Sequence, residues 1–420
     1  MRLATFFVTV LFVFSAKATL IKKQISGQYI VLAPTGVTEN KLIKSAISLG
    51  QNYYLIKLKN KNLKIQSIKD LLSLEMITPN FEYVGDPREV APTDPHFSKQ
   101  NHHKIINSVL AWDFTLGDKD IVIAVTDNGV QLDHPDLKQS WWINQDETPG
   151  NGIDDDNNGY IDDVNGWDFN RKVPDPSAKT DREGYAPNSH GTHVSGIIAA
   201  SINNLGIVGV APNVKVMPLK FFEYKKPWTS AIVLETYLYA INNGANIIST
   251  SYNIDGLSTD RAYIEAIRHA KNKDVLIVNS AGNGNAKNPP RQKRTYPILV
   301  CSTKSGKKTS DHSVKSKFSN YGTGIDICAP GDPIFSTLNG QYEGRSRYGN
   351  MSGTSMAAPV VAGVLALVWS QNPSWTGRQV RRHVLNNVDK IDQQNRSRHR
   401  GMLGSGRVNA YKATSTTSYY

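Results

Sequence analysis

Short apolar runs and amphipathic stretches alternate along most of the chain, and their rhythm changes near Ala111. The stretch from residue 19 to about 90 is a small Lys-rich module. Gln28 to Leu32, Tyr53 to Leu58 and Phe81 to Val84 read as strands there, and Ser67 to Leu74 as a helix. Residues 85–98 carry Pro87, Pro92 and Pro95, the punctuation of a linker. Beyond Ala111 the runs Ile121 to Thr126, Val214 to Phe221, Asn246 to Ser251, Val275 to Ser280 and Ile298 to Cys301 predict buried strands. Between them, Ser230 to Asn242 and Asp260 to Lys273 space Ile, Leu, Tyr and Ala as helices do. The alternation predicts an α/β fold, a doubly wound and mostly parallel sheet with helices on both faces.

The first residues read as an address. Arg2 precedes an apolar run from Ala4 to Ala16, shorter than the ~20 residues a bilayer span needs. Ala16-Lys17-Ala18 then supplies a small-x-small cleavage site, so residues 1–18 are expected to be a signal peptide. A buried N-terminal strand or helix is the alternative. No other run reads as a membrane span, which predicts a secreted or periplasmic protein. Residues 19–90, 91–414 and 415–420 are then a front module, the main domain and a tail.

Composition changes this picture little. The 420 residues are 39% apolar and 20% charged, as in soluble globular proteins. The net charge of +12 is partly local: Arg378 to Lys412 holds nine Lys or Arg and two Asp. A solvated helix face is the favoured reading, with nucleic acid or an acidic surface the alternative. No zinc finger, RNA-binding signature or aromatic-interleaved basic stripe accompanies the run, so no nucleic acid partner is expected. Export permits a disulfide between Cys301 and Cys328, and two buried free thiols remain the other possibility.

Ligands of doubly wound sheets sit beyond the carboxyl ends of the strands. Asp127 follows the first predicted strand, and Ala281-Gly282-Asn283-Gly284 follows the one ending at Ser280. His190 opens a helix in Ser189-His190-Gly191-Thr192-His193-Val194, and Ser355 opens another in Gly353-Thr354-Ser355-Met356-Ala357-Ala358-Pro359. Acyl transfer needs these types. A serine hydroxyl attacks only if a base takes its proton, and histidine titrates near the working pH. A buried carboxylate fixes the imidazole tautomer, and preset donors stabilise the oxyanion.

Those segments, with Asp127-Asn128-Gly129 and Asn188 before Ser189, resemble the three signatures of the subtilisin-like serine proteases, in that family's order of acid, histidine, serine. The resemblance runs from about Pro95 to Ala413. It implies that Asp127 orients, His190 is the general acid and base, Ser355 is the nucleophile and Asn283 donates to the oxyanion. It also implies that polypeptide substrate lies along Ser251, Tyr252 and Asn253, pairing with backbone from Ser249 to Tyr252, with Gly282 beside it. Asn253 stands where glycine is usual and should crowd the primary specificity pocket, and Asn128 stands where Thr or Ser is usual. The front module then looks like an inhibitory propeptide that is cut between Gly85 and Asp94. A monomer is expected.

A second constellation is acidic. Asp154, Asp156, Asn158, Tyr160 and Asp162 alternate through a run of five aspartates in ten residues, with Gly159 at the sixth place. The pattern predicts a structural calcium site, although Asn165 replaces the final glutamate of an EF-hand. A solvated acidic loop is the alternative. His193 is expected to be a packed helix residue, and His102, His103 and His134 surface or loop residues. A lipase would show Gly-x-Ser-x-Gly and the order serine, acid, histidine, and neither is present. An aspartic protease would need a second aspartate turn to partner Asp127. A catalytically silent subtilisin-fold binding protein is the remaining alternative.

Overall fold

The structure, a computed structural model, describes residues 21–37, 41–60, 67–69, 72, 74–84, 92–178, 189–223, 228–252, 254–290, 296–306, 308, 311–340 and 346–416. The expected signal peptide, most of the expected cut region, Asn188 and Asn253 therefore lie outside the described residues. The chain divides into two compact units, Met1–Arg88 and Glu89–Tyr420.

The first unit holds β1 (Ile21–Leu32), β2 (Ile43–Gly50), β3 (Tyr53–Leu58) and β4 (Met76–Val84), all antiparallel in the order β2-β3-β1-β4. Along β3 the alternation is visible: Ile56 and Leu58 are buried and Lys57 is exposed. They pack with Tyr29, Val31, Ile43, Ile68 and Leu74 into a small core. β2 escaped the pattern reading because Ser45, Ala46 and Ser48 blur its alternation. The β2–β3 turn places Gln51 and Asn52 at φ 48° and 65°.

The second unit is built on nine strands in the order β14-β15-β11-β10-β9-β8-β5-β7-β6. Its middle strands are β5 (Val122–Asp127), β7 (Lys215–Lys220), β8 (Ile247–Thr250), β9 (Leu276–Ser280), β10 (Ile298–Lys304) and β11 (Ile327–Asp332), all paired in parallel. Short strands β6 (Trp167–Asp168), β14 (Val388–Asp389) and β15 (Arg407–Val408) extend the edges, β14 running antiparallel. β12 (Ile334–Thr337) and β13 (Tyr348–Met351) form a separate hairpin.

Period-two alternation divides each central strand between two cores. Ile123 and Val125 face one cluster with α3 (His190–Ala199), α6 (Thr354–Gln371) and α7 (Gly377–Asn386). Val122 and Ala124 face the other, with α4 (Ser230–Asn242) and α5 (Arg261–Asn272). Helices on both faces are what an all-apolar parallel strand requires. Thr229 and Asp260 cap α4 and α5 through the amides of Ile232 and Tyr263. Helices α1 (Asn101–Ile106), α2 (Ser108–Trp112) and α8 (Ala410–Ser415) are short.

Helix α6 is long and apolar enough to cross a bilayer, with a mean hydropathy of 1.4, a feature the chain-level reading passed over. Its side chains are buried almost all round, as befits the central helix of a protein core. Cys301 and Cys328 are register partners on β10 and β11 and form a disulfide, their Cα atoms 4.4 Å apart.

His102, His103 and His134 are not surface residues; all three are buried. His103 stacks near His102 and Trp112 and bonds Ser108 Oγ and the Val208 carbonyl, so burial holds it down to about 4 and neutral. His134 likewise meets the Arg347 carbonyl through Nε2, whereas both His102 nitrogens are buried with no hydrogen-bond partner among the described residues.

Candidate active site

Three strand ends and two helix starts converge at the carboxyl edge of the sheet. Asp127 is the last residue of β5, Ser251 follows β8, and Asn283 lies three residues beyond β9. β8 pairs with β5 on one side and β9 on the other, so these residues stand side by side. His190 begins α3, and Ser355 is the second residue of α6.

His190 Nδ1 lies 2.8 Å and 2.9 Å from the two oxygens of Asp127, a buried carboxylate. With Nδ1–H donated to Asp127, Nε2 is left as the acceptor. Burial works to lower the His190 pKa, but the Asp127 charge and hydrogen bond outweigh it, and the net direction is upward from 6.5. Close packing sets the pair. A Cβ on Gly191 would lie 2.3 Å from the Gly129 carbonyl oxygen and 3.1 Å from Asp127 Cβ, so only glycine lets α3 approach β5 this closely. His193, one turn on, differs: its Nε2 bonds the carbonyls of Ile334 and Gly349, and burial with His190 nearby holds it down to about 3.

Ser355 and Ser251 clasp each other. Ser355 Oγ donates to the Ser251 carbonyl at 3.0 Å, and Ser251 Oγ donates to the Ser355 carbonyl at 3.0 Å. That second carbonyl is available because Pro359, four residues on, has no N–H to bond it. The Ser355 hydroxyl is thus turned to Ser251.

Asn283 is held by a residue that motif reading did not single out. Thr354 donates its backbone N–H (2.9 Å) and its hydroxyl (2.8 Å) to Asn283 Oδ1. The same Thr354 oxygen accepts from the Gly282 amide at 3.0 Å, and Gly282 sits at φ 96°, which favours glycine. With Oδ1 occupied, the Asn283 amide nitrogen is the end left for a ligand. Around these residues lies a cleft of about 620 Å³, walled by Ser251 and Tyr252 on one side and the 282–290 loop on the other. Tyr252 turns its hydroxyl to Tyr237, 3.3 Å away, and its ring to Phe221.

The acidic loop draws part of its run together. Ligand atoms of Asp154, Asp156 and Glu147 come within 4.8 Å of one another, and Glu147 was not anticipated. Asp162 instead accepts from the amides of Asn151 and Gly152, and Asn158 donates to Asp156 and Asp163. Tyr160 offers its hydroxyl to Glu235. Oxygen-only donors of this kind suit a hard cation. A second carboxylate pair, Asp94 and Asp136, is buried with one oxygen on each unpartnered among the described residues. Burial pushes Asp136 up to about 6, with the Asp94 charge adding to the rise. Orphaned buried carboxylate oxygens also fit a cation, and no sequence pattern links two residues so far apart.

Residues 118–405 match the subtilase family. The chain belongs to that family and is a serine endopeptidase of the subtilisin type. It is 34% identical to thermitase of Thermoactinomyces vulgaris over 77% of this chain and 98% of the relative. It is 29% identical to a thermophilic serine proteinase of Bacillus sp. (strain AK1), over 90% of this chain and 80% of that protein. Among solved structures, a protease of Pseudoalteromonas arctica PAMC 21717 superposes with a TM-score of 0.57 at 24% identity, covering 77% of this chain and 98% of that one, a likeness of fold.

Proposed function

We propose that this endopeptidase cleaves substrates through an acyl-enzyme on Ser355. The observation that carries the reading is the Asp127–His190 pair at 2.8 Å, set at the same sheet edge as Ser355 and Asn283. Rotation about the Ser355 Cα–Cβ bond releases the hydroxyl from Ser251 toward His190. Oγ then attacks the scissile carbonyl carbon while its proton passes to His190 Nε2. Asp127 holds the imidazole and stabilises the imidazolium. The oxyanion receives bonds from the Asn283 amide and from the Ser355 N–H, which has no intrahelical acceptor in the first turn. Collapse expels the amine, which takes the proton from His190. Water repeats the sequence on the ester and restores Ser355.

Substrate lies extended across the cleft and adds as a strand. Ser249 and Thr250 are already paired on both sides, so the added pairing falls to Ser251 and Tyr252 rather than to all four residues. The first unit serves as the chain's own inhibitory propeptide, and residues 1–18 direct export. Calcium, if bound, is held by Glu147, Asp154 and Asp156, with Asp94 and Asp136 offering a second position. There it supplies charge neutralisation and no catalytic step.

The test is intact mass and casein hydrolysis of wild type beside Ser355→Ala. Loss of the front module and casein digestion in wild type, with neither in the variant, supports the reading. Turnover should fall about 10⁶-fold, a magnitude carried over from a subtilisin. Equal casein digestion by both would sink the mechanism. A front module retained in both, with no digestion, would favour a binding protein.

A further inference from the structure

The basic stretch from Arg378 to Lys412 has no part in the catalytic geometry, and it does not form a single solvated face. Part of it folds against residues 304–317 around a concave pocket of about 390 Å³. Lys304, Lys315, Lys317, Arg396, Arg398 and His399 line that pocket, and no carboxylate does. Lys304 is paired with Asp311 at 3.0 Å. Lys315, Lys317, Arg396 and Arg398 have no ion-pair partner among the described residues.

The pocket has a built floor. Lys315 is only 5% exposed, and its ammonium donates to Asn285 Oδ1 (3.0 Å) and to the carbonyls of Ser316 (2.9 Å) and Ser319 (2.7 Å). Asn395, also buried, ties the two walls together: Oδ1 accepts from the Lys315 amide at 2.9 Å, and Nδ2 donates to the carbonyls of Ser313 and Ile391, each at 2.8 Å. Burial, reinforced by Arg398, holds the Lys315 pKa down to about 8, so the group is still charged at neutral pH. Burial lowers His399 too, and Lys315, Arg398 and Arg396 push it the same way. Positive charge is therefore crowded here, and among the described residues only Lys304 of the pocket's cations is ion-paired.

We propose that this pocket binds a small tetrahedral oxyanion, phosphate or sulfate, between Lys317, Arg396 and Arg398. All three side chains are exposed at the pocket, and guanidinium forks match the oxygen geometry of such anions. Lys315 contributes charge from below, its donors already satisfied by neutral acceptors. The site adjoins the active centre through one loop. Lys315 holds Asn285, two residues past Asn283, while Asn320 accepts from the amides of Gly284 and Ala286 and donates to the Ala281 carbonyl. An anion that relieves repulsion on Lys315 therefore steadies the turn that carries Asn283.

The test uses the full-length chain carrying Ser355→Ala to prevent self-digestion, titrated calorimetrically at fixed ionic strength with inorganic phosphate and, separately, sulfate against chloride. Millimolar concentrations avoid the general stabilisation that these salts give when concentrated. The expected result is saturable binding that weakens at least about tenfold in R396Q/R398Q, which removes two charged donors from the anion. K271Q/K273Q, which removes the same charge from the exposed end of α5, should bind as the parent does. Should R396Q/R398Q not fold, K317Q replaces it with the same expectation. Phosphate alone binding identifies a protonatable anion as the occupant, and equal binding of sulfate identifies recognition by charge and shape. No saturable heat with either anion overturns the proposal. So does equal affinity in R396Q/R398Q, or equal weakening in K271Q/K273Q.

Discussion

The carboxyl edge of the nine-stranded sheet and the acidic loop from Asn144 to Asp163 both gather polar side chains, and they do so by opposite means. At the sheet edge, regular backbone delivers the residues. Asp127 ends β5, Ser251 follows β8, and the partners of each are set by parallel register. In the loop, side chains choose partners with little help from backbone periodicity. Glu147 reaches across to the amides of Asp155, Asp156 and Asp162, while the Asp162 carboxylate swings to Asn151 and Gly152. Spacing along the chain therefore orders residues at the sheet edge, while in the loop it names Asp154 and Asp156 and leaves Glu147 to the fold.

Changes at the edge should act on turnover and leave the fold standing. Asp127→Asn keeps the shape but donates to His190 where it should accept, and kcat should fall about 10⁴-fold with an unchanged circular dichroism spectrum. A fall below tenfold would detach Asp127 from the chemistry. Asn283→Ala should cost about 10²–10³ in kcat with little change in KM, a range that comes from subtilisin itself. Thr354→Val removes the hydroxyl that bridges Gly282 and Asn283 and should cost about tenfold, with Thr354→Ser restoring activity. If Thr354→Ser stays as slow as Thr354→Val, the hydroxyl is not what positions Asn283.

The pH profile gives a subtler reading of the same edge. His190 is raised by Asp127, so the protonated pair stabilises the fold at low pH and loses that contribution as pH climbs through the raised value. Activity moves the opposite way, because only neutral His190 accepts the serine proton. The acid limb of kcat/KM should have its midpoint above 6.5. A midpoint at or below that value would mean that burial, not Asp127, dominates the imidazole.

The loop should answer in stability alone. A chelator should lower the thermal midpoint of the wild type, since a cation at 100 times its Kd contributes about 2.7 kcal/mol. It should do less in Glu147→Gln/Asp154→Asn, with kcat at 25 °C unaffected. An equal chelator effect in that variant would move the cation to Asp94 and Asp136.

Much of the central sheet was legible because its strands are apolar runs closed by polar or glycine residues, and each was placed within one to three residues of its observed ends. β11 was missed because Pro330 and Gly331 interrupt it, and its place between β10 and β15 comes from the sheet. Asp127, His190, Asn283 and Ser355 could be picked out as candidates because their motifs are local in sequence, and the sheet brings them to one edge. Thr354 and the Asp94–Asp136 pair could not, since each acts on residues distant in the chain, nor could Glu147, since it stands outside the alternating acidic run that it joins.

By itself, then, the sequence determined the α/β architecture, through apolar periods of two and 3.6, and the candidate catalytic side chains, through short motifs at strand ends and helix starts. Only the tertiary structure decided that Cys301 meets Cys328, that the Ser355 carbonyl left free by Pro359 goes to Ser251, and that lysines near 315 and arginines near 396 share one pocket. Local periodicity follows from backbone geometry within a few residues. Pairings across the fold follow from the register and packing of elements that no local pattern encodes.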